Sequence, residues 1–431
     1  MANDNYTGSV AQRFFQFTTG LATTEDVEIN VFDSIAIYIP SDEAADNIVD
    51  YDGSSLTEDI PVVKTVTADN YTDVLKGDLL TNWAPIFNDG ANLDVTLYIV
   101  VFLSTEAISA TRTEIEYAPL TKAFELTFAS AFFKVLHSKA SALDRSSLQL
   151  CLAQLCEKET KLSYHLMQVT VDPADADDPC AVLTLTRAEE REAVKTNGLI
   201  TPAEDQENPR EKYLWGMLDF ISASNTFLLV HSEDTFIIPI MFAQYYAEGR
   251  NGSGTYIGNK IAKVRLSGSK VTPTGTPSVL NSEINTNLTE AQYTILDDKN
   301  CEYLMSIADS TQNNSIVVRE KGITGVPLSA RSISKYVDYT TSQQLAKLVT
   351  AKSTTTSPYL RNTETYEIIK QTLLGNLQLF SAIGKITDIA TNFPAFEDLP
   401  ESKTDITVTS GWYAYYVSDL EKVRITGTIN Y

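Results

Sequence analysis

A continuous apolar run occurs within LDVTLYIVVFL, residues 93–103, and excludes most fold classes. A strand with one face in water alternates apolar and polar residues. A run of strand length without that alternation is typical of a strand covered by protein on both faces. Such strands belong to sheets with helices on either side, so the run predicts an α/β fold.

Other segments alternate between strand and helix patterns. Strand patterns occur at 27–40 and 226–231, and helical spacing of apolar residues occurs around 71–80, at 119–136 and at 142–157. This alternation predicts a mixed α/β or α+β core in which strands and helices follow one another along the chain.

The clearest helix pattern is late in the chain, in TETYEIIKQTLLGNLQLFSAIG at 363–384. Apolar residues recur there at helical spacing, and Glu364 and Glu367 lie in the first turn, where carboxylates favour the helix dipole. Residues 387–399 are expected to be a connector between this helix and the closing strands.

The last 28 residues are aromatic and strand-like, whereas chain termini are usually polar and frayed. Trp412, Tyr413, Tyr415 and Tyr416 occupy four of five consecutive positions. Two interpretations stay open. The segment pairs within its own sheet, or it adds strands to the sheet of a neighbouring molecule, where main-chain hydrogen bonds supply the affinity.

The charge is strongly acidic, with 56 Asp and Glu against 33 Lys and Arg, a net charge of -23. A field of this sign repels nucleic acid, so nucleic acid is not an expected partner. It also keeps a subunit soluble until a specific geometry overcomes the repulsion between copies.

Cysteine and hydropathy patterns predict a soluble chain from a reducing compartment. Cys151 and Cys156 lie in a leucine-rich helical pattern and are expected to be small buried hydrophobic residues. No signal peptide is visible at the N-terminus, and no apolar run approaches the ~20 residues that a membrane helix needs. Assembly in a cytoplasm, without membrane insertion, is expected.

The sequence contains no complete motif for nucleotide binding, calcium binding or a catalytic triad. The glycines of 248–260 have neither dinucleotide-loop nor P-loop spacing, and the acidic loop 172–178 lacks the glycine and the glutamate of an EF-hand. His231 to Asp234 places triad residue types side by side without a nucleophile elbow. We therefore predict no catalytic, cofactor-binding or metal-binding residue and no enzyme. The alternative from another class is a hydrolase with paired carboxylates.

Several segments resemble the contractile tail sheath proteins of bacteriophages and related injection machines. They are GTYIGNKIAKVRLSG (254–268), KNCEYLMSIADST (299–311), ITGVPLSARSISKYVDYTTSQQLAKLV (323–349), the late helix and the closing strands, with a weaker likeness at 69–103. The resemblance implies a subunit that stacks in hexameric rings around an inner tube, drives the tube out by contraction without nucleotide, and donates terminal strands to neighbouring subunits.

The resemblance also implies specific interfaces. An N-terminal arm (1–30) and a C-terminal β arm (404–431) would join subunits, with an outer, variable insertion at 106–208 and a sheath core at 31–105 and 209–403. The implied subunit-interface residues are Val27, Ile29, Val31, Ile406, Val408, Trp412, Tyr413, Tyr415, Tyr416, Val423, Ile425 and Ile429. The implied tube-facing residues are Lys370, Asn376, Gln378 and Lys385.

The implied partners are further copies of the chain, the tail tube protein, and the baseplate and tail terminator proteins. The implied location is the virion tail. The alternative within this class is another phage tail or baseplate structural protein.

Overall fold

A computed structural model of the 431-residue chain provides the structure. It describes residues 34–87, 95–127, 131, 133–139, 144–159, 164–171, 181–200, 209–231, 236–239, 265–266, 288–308, 313–317, 322–325, 341, 344–347, 362–382, 386–398 and 411–416. The chain divides into two compact units. We call Glu28–Arg331 the sheet unit, and Met1–Val27 together with Ser332–Tyr431 the C-terminal unit.

Eleven strands and nine helices are described in the sheet unit. The strands are β1 (Ile35–Pro40), β2 (Val62–Val66), β3 (Leu97–Phe102), β4 (Ser109–Ala110), β5 (Ile115–Glu116), β6 (Phe133–Leu136), β7 (Tyr164–Thr170), β8 (Thr226–His231), β9 (Arg265–Leu266), β10 (Glu302–Ala308) and β11 (Asn313–Val317). The helices are α1 (Ser41–Asn47), α2 (Tyr71–Val74), α3 (Gly77–Trp83), α4 (Ala118–Thr127), α5 (Ser146–Lys158), α6 (Arg187–Lys195), α7 (Pro209–Lys212), α8 (Leu214–Phe220) and α9 (Glu290–Lys299). A 3₁₀ turn, Ala84–Ile86, follows α3.

Nine of these strands form one sheet in the order β2-β3-β1-β6-β7-β8-β10-β11-β9. The six strands from β3 to β10 run parallel, and antiparallel strands complete both ends. Strands β4 and β5 form a separate short hairpin. The apolar run at 93–103 supplies β3, whose pairing with β2 and β1 confirms the prediction of an internal strand in an α/β fold.

Both faces of the sheet are covered. Along β1, the side chains of Ile35, Ile37 and Ile39 point into one hydrophobic cluster, with α1 and α3, and those of Ala36 and Tyr38 point into a second, with α4 and α5. All six residues of β1 are buried. This two-sided burial follows from the two-residue period of a strand that has no polar face.

The interpretation of 106–208 as an outer insertion is wrong. This segment supplies β6 and β7, which lie between β1 and β8 in the middle of the sheet. The predicted continuous helix at 119–136 is also wrong, since α4 ends at Thr127 and β6 follows. Within β6, Lys134 is fully buried because its ammonium donates to the carbonyls of Thr127 (3.1 Å) and Ala131 (2.7 Å).

The helix expected around 71–80 is divided into α2 and α3. Leu75 and Lys76 between them have extended backbone conformations, and Leu75 forms an antiparallel bridge with Ile48. Tertiary pairing has therefore overridden the local helical pattern.

The C-terminal unit contains α10 (Thr363–Ala382), β12 (Ile386–Asn392) and β13 (Gly411–Tyr416), with a 3₁₀ turn at Phe396–Asp398. Helix α10 confirms the late-helix prediction. The connector expected at 387–399 instead begins with strand β12, which pairs antiparallel with β13. The boundary at Arg331 also divides the core that was expected to continue to 403.

Candidate functional site

The three histidines of the chain are enclosed in the sheet unit. His165 is fully buried, and its Nε2 lies 2.7 Å from Oε1 of Gln149. Burial lowers the pKa of His165 to about 3 and the pKa values of His137 and His231 to about 4. All three rings are therefore neutral at pH 7 and only 0 to 5% exposed, which is unsuited to proton exchange with a substrate.

The described cysteines are buried as well, which confirms the expectation for Cys151 and Cys156. Burial raises the pKa of Cys151 to about 12 and that of Cys156 further, so neither forms a thiolate at neutral pH. No group of three or more His, Cys, Asp or Glu side chains suited to a metal ion occurs among the residues that the structure describes. The glycine-rich stretch 248–260 and the acidic loop 172–178 lie outside those residues.

The carboxyl edge of the parallel strands is where open α/β sheets bind ligands. In this chain, side chains from three strand ends occupy part of it. Arg145, just before α5, donates to Asp42 (2.7 Å) and Glu43 (3.2 Å) in α1. Ser104, after β3, donates to Asp42 (2.6 Å), and Ser138, after β6, donates to Glu43. These groups bond to one another, so the cluster joins α1 to the segments that follow β3 and β6.

A second polar cluster is fully enclosed between helices. The ammonium of Lys299, the last residue of α9, lies 2.7 Å from Glu190 of α6, and both residues are 0% exposed. Glu190 accepts from the backbone N–H of Gly216 (2.8 Å), and Trp215 donates from its indole to the Lys299 carbonyl (2.8 Å). The pair therefore joins α6, α8 and α9. Its burial and internal bonding indicate a structural role.

Helix α10 organises the C-terminal unit around a row of apolar side chains. Tyr366, Leu373 and Leu377 are buried, and the Tyr366 hydroxyl donates to the carbonyl of Pro394. The Tyr366 ring lies 5.9 Å from that of Phe396, centroid to centroid. These contacts fix the helix against the segment that follows β12.

The predicted tube-facing residues occupy different environments on α10. Gln378 is exposed. Lys370 is partly buried, pairs with Glu367 (2.7 Å) and lies over the Tyr366 ring. Asn376 is only 3% exposed, and its amide donates to Thr341 (2.8 Å), so it is engaged within its own unit. Lys385 lies outside the described residues.

Four of the predicted interface residues lie in β13. In register with β12, Tyr416 pairs with Ile386, Tyr415 with Thr387, Tyr413 with Ala390 and Trp412 with Thr391. The other predicted residues, Val27, Ile29, Val31, Ile406, Val408, Val423, Ile425 and Ile429, lie outside the described residues. The aromatic strand is therefore present, and its described partner is a strand of the same chain.

The β12–β13 pair is irregular and narrow. Its register shifts between Thr387 and Ala390, as in a β-bulge, and Asp388 within the shift has φ +54°. Within the described part of the chain this sheet has two strands, and only Ile386 of β12 is buried. Sequence reasoning missed β12 because its residues, ITDIATN, carry no apolar alternation.

No helix in the described ranges is long and apolar enough to cross a membrane.

Comparison with known proteins identifies a structural neighbour. No family model matches the sequence, and no curated protein matches it. Among solved structures, a chain in the cryo-EM structure of the anti-feeding prophage baseplate, 6-fold symmetrised, is similar with a TM-score of 0.53 and 10% sequence identity. The similarity covers 98% of this chain and 99% of that chain. The protein therefore shares the fold of that chain over almost its entire length.

Proposed function

We propose that the protein is a non-enzymatic structural subunit of a contractile tail, and more specifically that it forms the sheath. The observation that carries the proposal is the fold similarity over 98% of the chain to a chain of a 6-fold symmetrised injection-system assembly. The sequence segments that resemble tail sheath proteins support the same class, and a shared fold alone does not define a function.

The chemistry of the sheet unit supports a structural role. His137, His165 and His231 are buried and neutral, Cys151 is protonated, and the carboxylates at the carboxyl edge of the sheet are held by Arg145 and by serines. An enzyme of this fold class would expose such groups in a cleft. A rigid body stabilised by buried pairs suits a subunit that transmits force.

The C-terminal unit supports a role in joining subunits. A two-stranded sheet alone is marginally stable in water and gains from a third strand. We propose that terminal arms of neighbouring copies extend the β12–β13 sheet. Such joints would act as hinges while other surfaces slide during contraction, with a few kcal/mol released per subunit and summed over the polymer.

In this proposal the chain forms hexameric rings around a tail tube protein, between baseplate and terminator proteins. It would be located in the virion tail after assembly in the host cytoplasm. The exposed side of α10, with Gln378, is proposed to face the tube. Nucleic acid and membrane lipid are not proposed partners.

Electron microscopy of purified protein tests the proposal, with hollow tubes or stacked rings of six subunits as the expected result. A protein that stays monomeric at high concentration, with and without a tube protein, would contradict it.

Deletion of 417–431 leaves β12 and β13 intact, so it should abolish tubes while preserving the folding transition of the sheet unit. Tubes that persist after the deletion would show that this segment is dispensable for joining.

A baseplate component is the second candidate, favoured by the assembly in which the structural neighbour was found. The two are distinguished by polymer length. A sheath subunit should extend into tubes of many rings on its own, whereas a baseplate subunit should stop at a closed ring.

A further inference from the structure

Strand β2 forms one end of the nine-stranded sheet and pairs only with β3 among the described strands. Its side chains alternate between the two hydrophobic clusters, so that Val62 packs against one cluster and Val63 against the other. Both valines are only partly buried, and Ile60, just before the strand, is 58% exposed. Apolar surface is therefore exposed on both faces of the sheet at the same edge.

This geometry favours one kind of occupant. An added strand supplies main-chain hydrogen bonds along the edge and side chains on both faces, so it can cover Val62 and Val63 together. A docked helix or loop lies on one face of a sheet and covers only one of the two valines. The edge of β2 therefore suits an extended segment of another polypeptide.

The stretch of chain around this edge is strongly acidic. Residues 41–83 are all described, and two exposed lysines, Lys64 and Lys76, occur there with nine exposed carboxylates. The nine are Asp42, Asp46, Asp50, Asp52, Glu58, Asp59, Asp69, Asp73 and Asp78. Arg145 pairs with the first of them and Lys139 with the second. The remaining carboxylates still outnumber the two lysines, so the field at this end of the sheet is negative.

Acidic residues flank both ends of β2. Glu58 and Asp59 precede the strand, and Asp69 and Asp73 follow it in the turn and in α2. A docked strand therefore meets carboxylates at each of its ends, whichever direction it runs. Such positions attract lysine and arginine side chains.

The lysine within the strand does not reverse this balance. Hydrogen bonds from Ser54 lower the pKa of Asp52, and the charge of Lys64 lowers it further, so Lys64 lies close to a carboxylate of its own chain. A second copy of this chain, with a net charge of -23, is repelled by an acidic edge, whereas a strand with basic ends is attracted.

We propose that the β2 edge is a docking site for a strand of a different protein, in which a short apolar segment is flanked at both ends by lysine or arginine. This strand pairs with β2 through its main chain and covers Val62 and Val63. Its basic ends lie against Glu58 and Asp59 on one side and Asp69 on the other. The site goes beyond the joining of copies proposed above, because its occupant is basic and this chain is acidic.

The synthetic peptide KKVTVTVKK tests the site on the full chain, with fluorescence anisotropy of the labelled peptide as the readout. KKVTVTVKK should bind at low salt. The peptides KKVTPTVKK and EEVTVTVEE should each bind at least about tenfold more weakly, because proline removes a main-chain donor and glutamate is repelled. Absence of binding by KKVTVTVKK would overturn the site. Equal binding of KKVTPTVKK would overturn strand pairing, since charge alone would then explain the affinity.

Amide hydrogen exchange locates the bound peptide. Saturating KKVTVTVKK should slow exchange within residues 62–66 by about tenfold at the amides that point away from β3, because strand addition gives them hydrogen-bond partners. KKVTPTVKK should leave these amides unchanged. Binding of KKVTVTVKK without slower exchange in β2 would overturn the proposal.

Charge reversal on the protein completes the test. The variant Glu58→Lys with Asp59→Lys should weaken KKVTVTVKK binding by about tenfold at low salt, and less at high salt, where exposed charges are screened. A matched control, Glu125→Lys with Glu192→Lys on α4 and α6, changes the net charge equally at well-exposed positions and should bind like the wild type. An equal loss in the control would overturn the proposal, because net charge alone would then explain the effect.

The peptide measurements are independent of the proposed function. They do not require rings or tubes, so a protein that forms tubes but does not bind KKVTVTVKK would contradict the edge site alone. A protein that binds the peptide at β2 but forms no rings or tubes would uphold the edge site and contradict the sheath.

Discussion

Strands β1 and β12 show how differently the two units are built. All six residues of β1 are buried between two strands and two layers of helices, whereas β12 has one buried residue in seven and one described partner, β13. In the sheet unit, the central strands are paired on both edges and buried by residues of the same unit. In the C-terminal unit, the described residues bury only Ile386 of β12. Burial of the central strands therefore stabilises the sheet unit, whereas the proposed function assigns the joining of subunits to the C-terminal unit.

The largest expected difference between the two units is in how acid changes their free energy of unfolding. Burial holds the pKa values of His137, His165 and His231 at about 3 to 4, against about 6.5 in an unfolded chain. Their contribution to stability is complete above pH 6.5 and is lost as pH falls towards their folded pKa values, because the unfolded chain then binds more protons. From pH 7 to pH 5 the loss is about 2 kcal/mol for each histidine and about 6 kcal/mol together.

Denaturant unfolding at the two pH values measures this loss. Trp83 and Trp215 report on the sheet unit, and Trp412 reports on the C-terminal unit, whose sequence contains no histidine. Only the transition seen by Trp83 and Trp215 should move. An equal shift at Trp412 would show that the two units unfold together.

The buried ion pair should have the next largest effect. Lys299→Met removes the cation and leaves Glu190 enclosed, which should lower the free energy of unfolding of the sheet unit by about 3–5 kcal/mol. Lys299→Met combined with Glu190→Leu should recover most of that loss. Urea unfolding followed by Trp215 fluorescence gives both values.

The matched control for the ion pair is Lys195→Met. Its partner is Glu192, and both side chains are at least 70% exposed. Water screens that pair, so the change should be below about 1 kcal/mol. Similar losses for Lys299 and Lys195 would contradict a structural role for the enclosed pair.

Gly198 provides a steric test within the sheet unit. It has φ +57°, and a Cβ there would lie 2.2 Å from the carbonyl oxygen of Arg112, which accepts from the Leu199 N–H. Gly198→Ala should therefore destabilise the unit by about 2 kcal/mol, through both backbone strain and the clash. Thermal unfolding measures the loss of stability. An unchanged transition would mean that the hairpin of β4 and β5 shifts at little cost to make room for the added methyl group.

The sequence predicts those elements whose pattern is local. The apolar run in β3 and the helical spacing of α10 each carry their own signal, and both were found. Strand β6, FKVL, is only four residues long and matched a helical spacing, while β12 has little apolar alternation. Both are strands because of partners distant in the chain, which no local pattern shows.

Local sequence patterns also fail to show which residues meet at the candidate sites. Trp412 and its neighbours were predicted to form a strand from composition, but the partner β12 was not predicted. The cluster of Asp42 and Glu43 with Arg145 joins residues about a hundred positions apart, so only the topology of the parallel sheet brings them together.

The smallest predicted effect has the opposite sign and lies in the C-terminal unit. Gly375 is in the middle of α10, and a Cβ there would meet no atom within 4 Å. Gly375→Ala should stabilise the helix by about 1 kcal/mol, because alanine loses less backbone entropy than glycine. The transition seen by Trp412 measures this gain, and a loss of stability would contradict the open environment of Gly375.

Gly375 lies on the exposed side of the helix with Gln371 and Gln378. A subunit that becomes more stable yet assembles less well would therefore show that a neighbouring molecule approaches α10 at this position, as the proposed function expects.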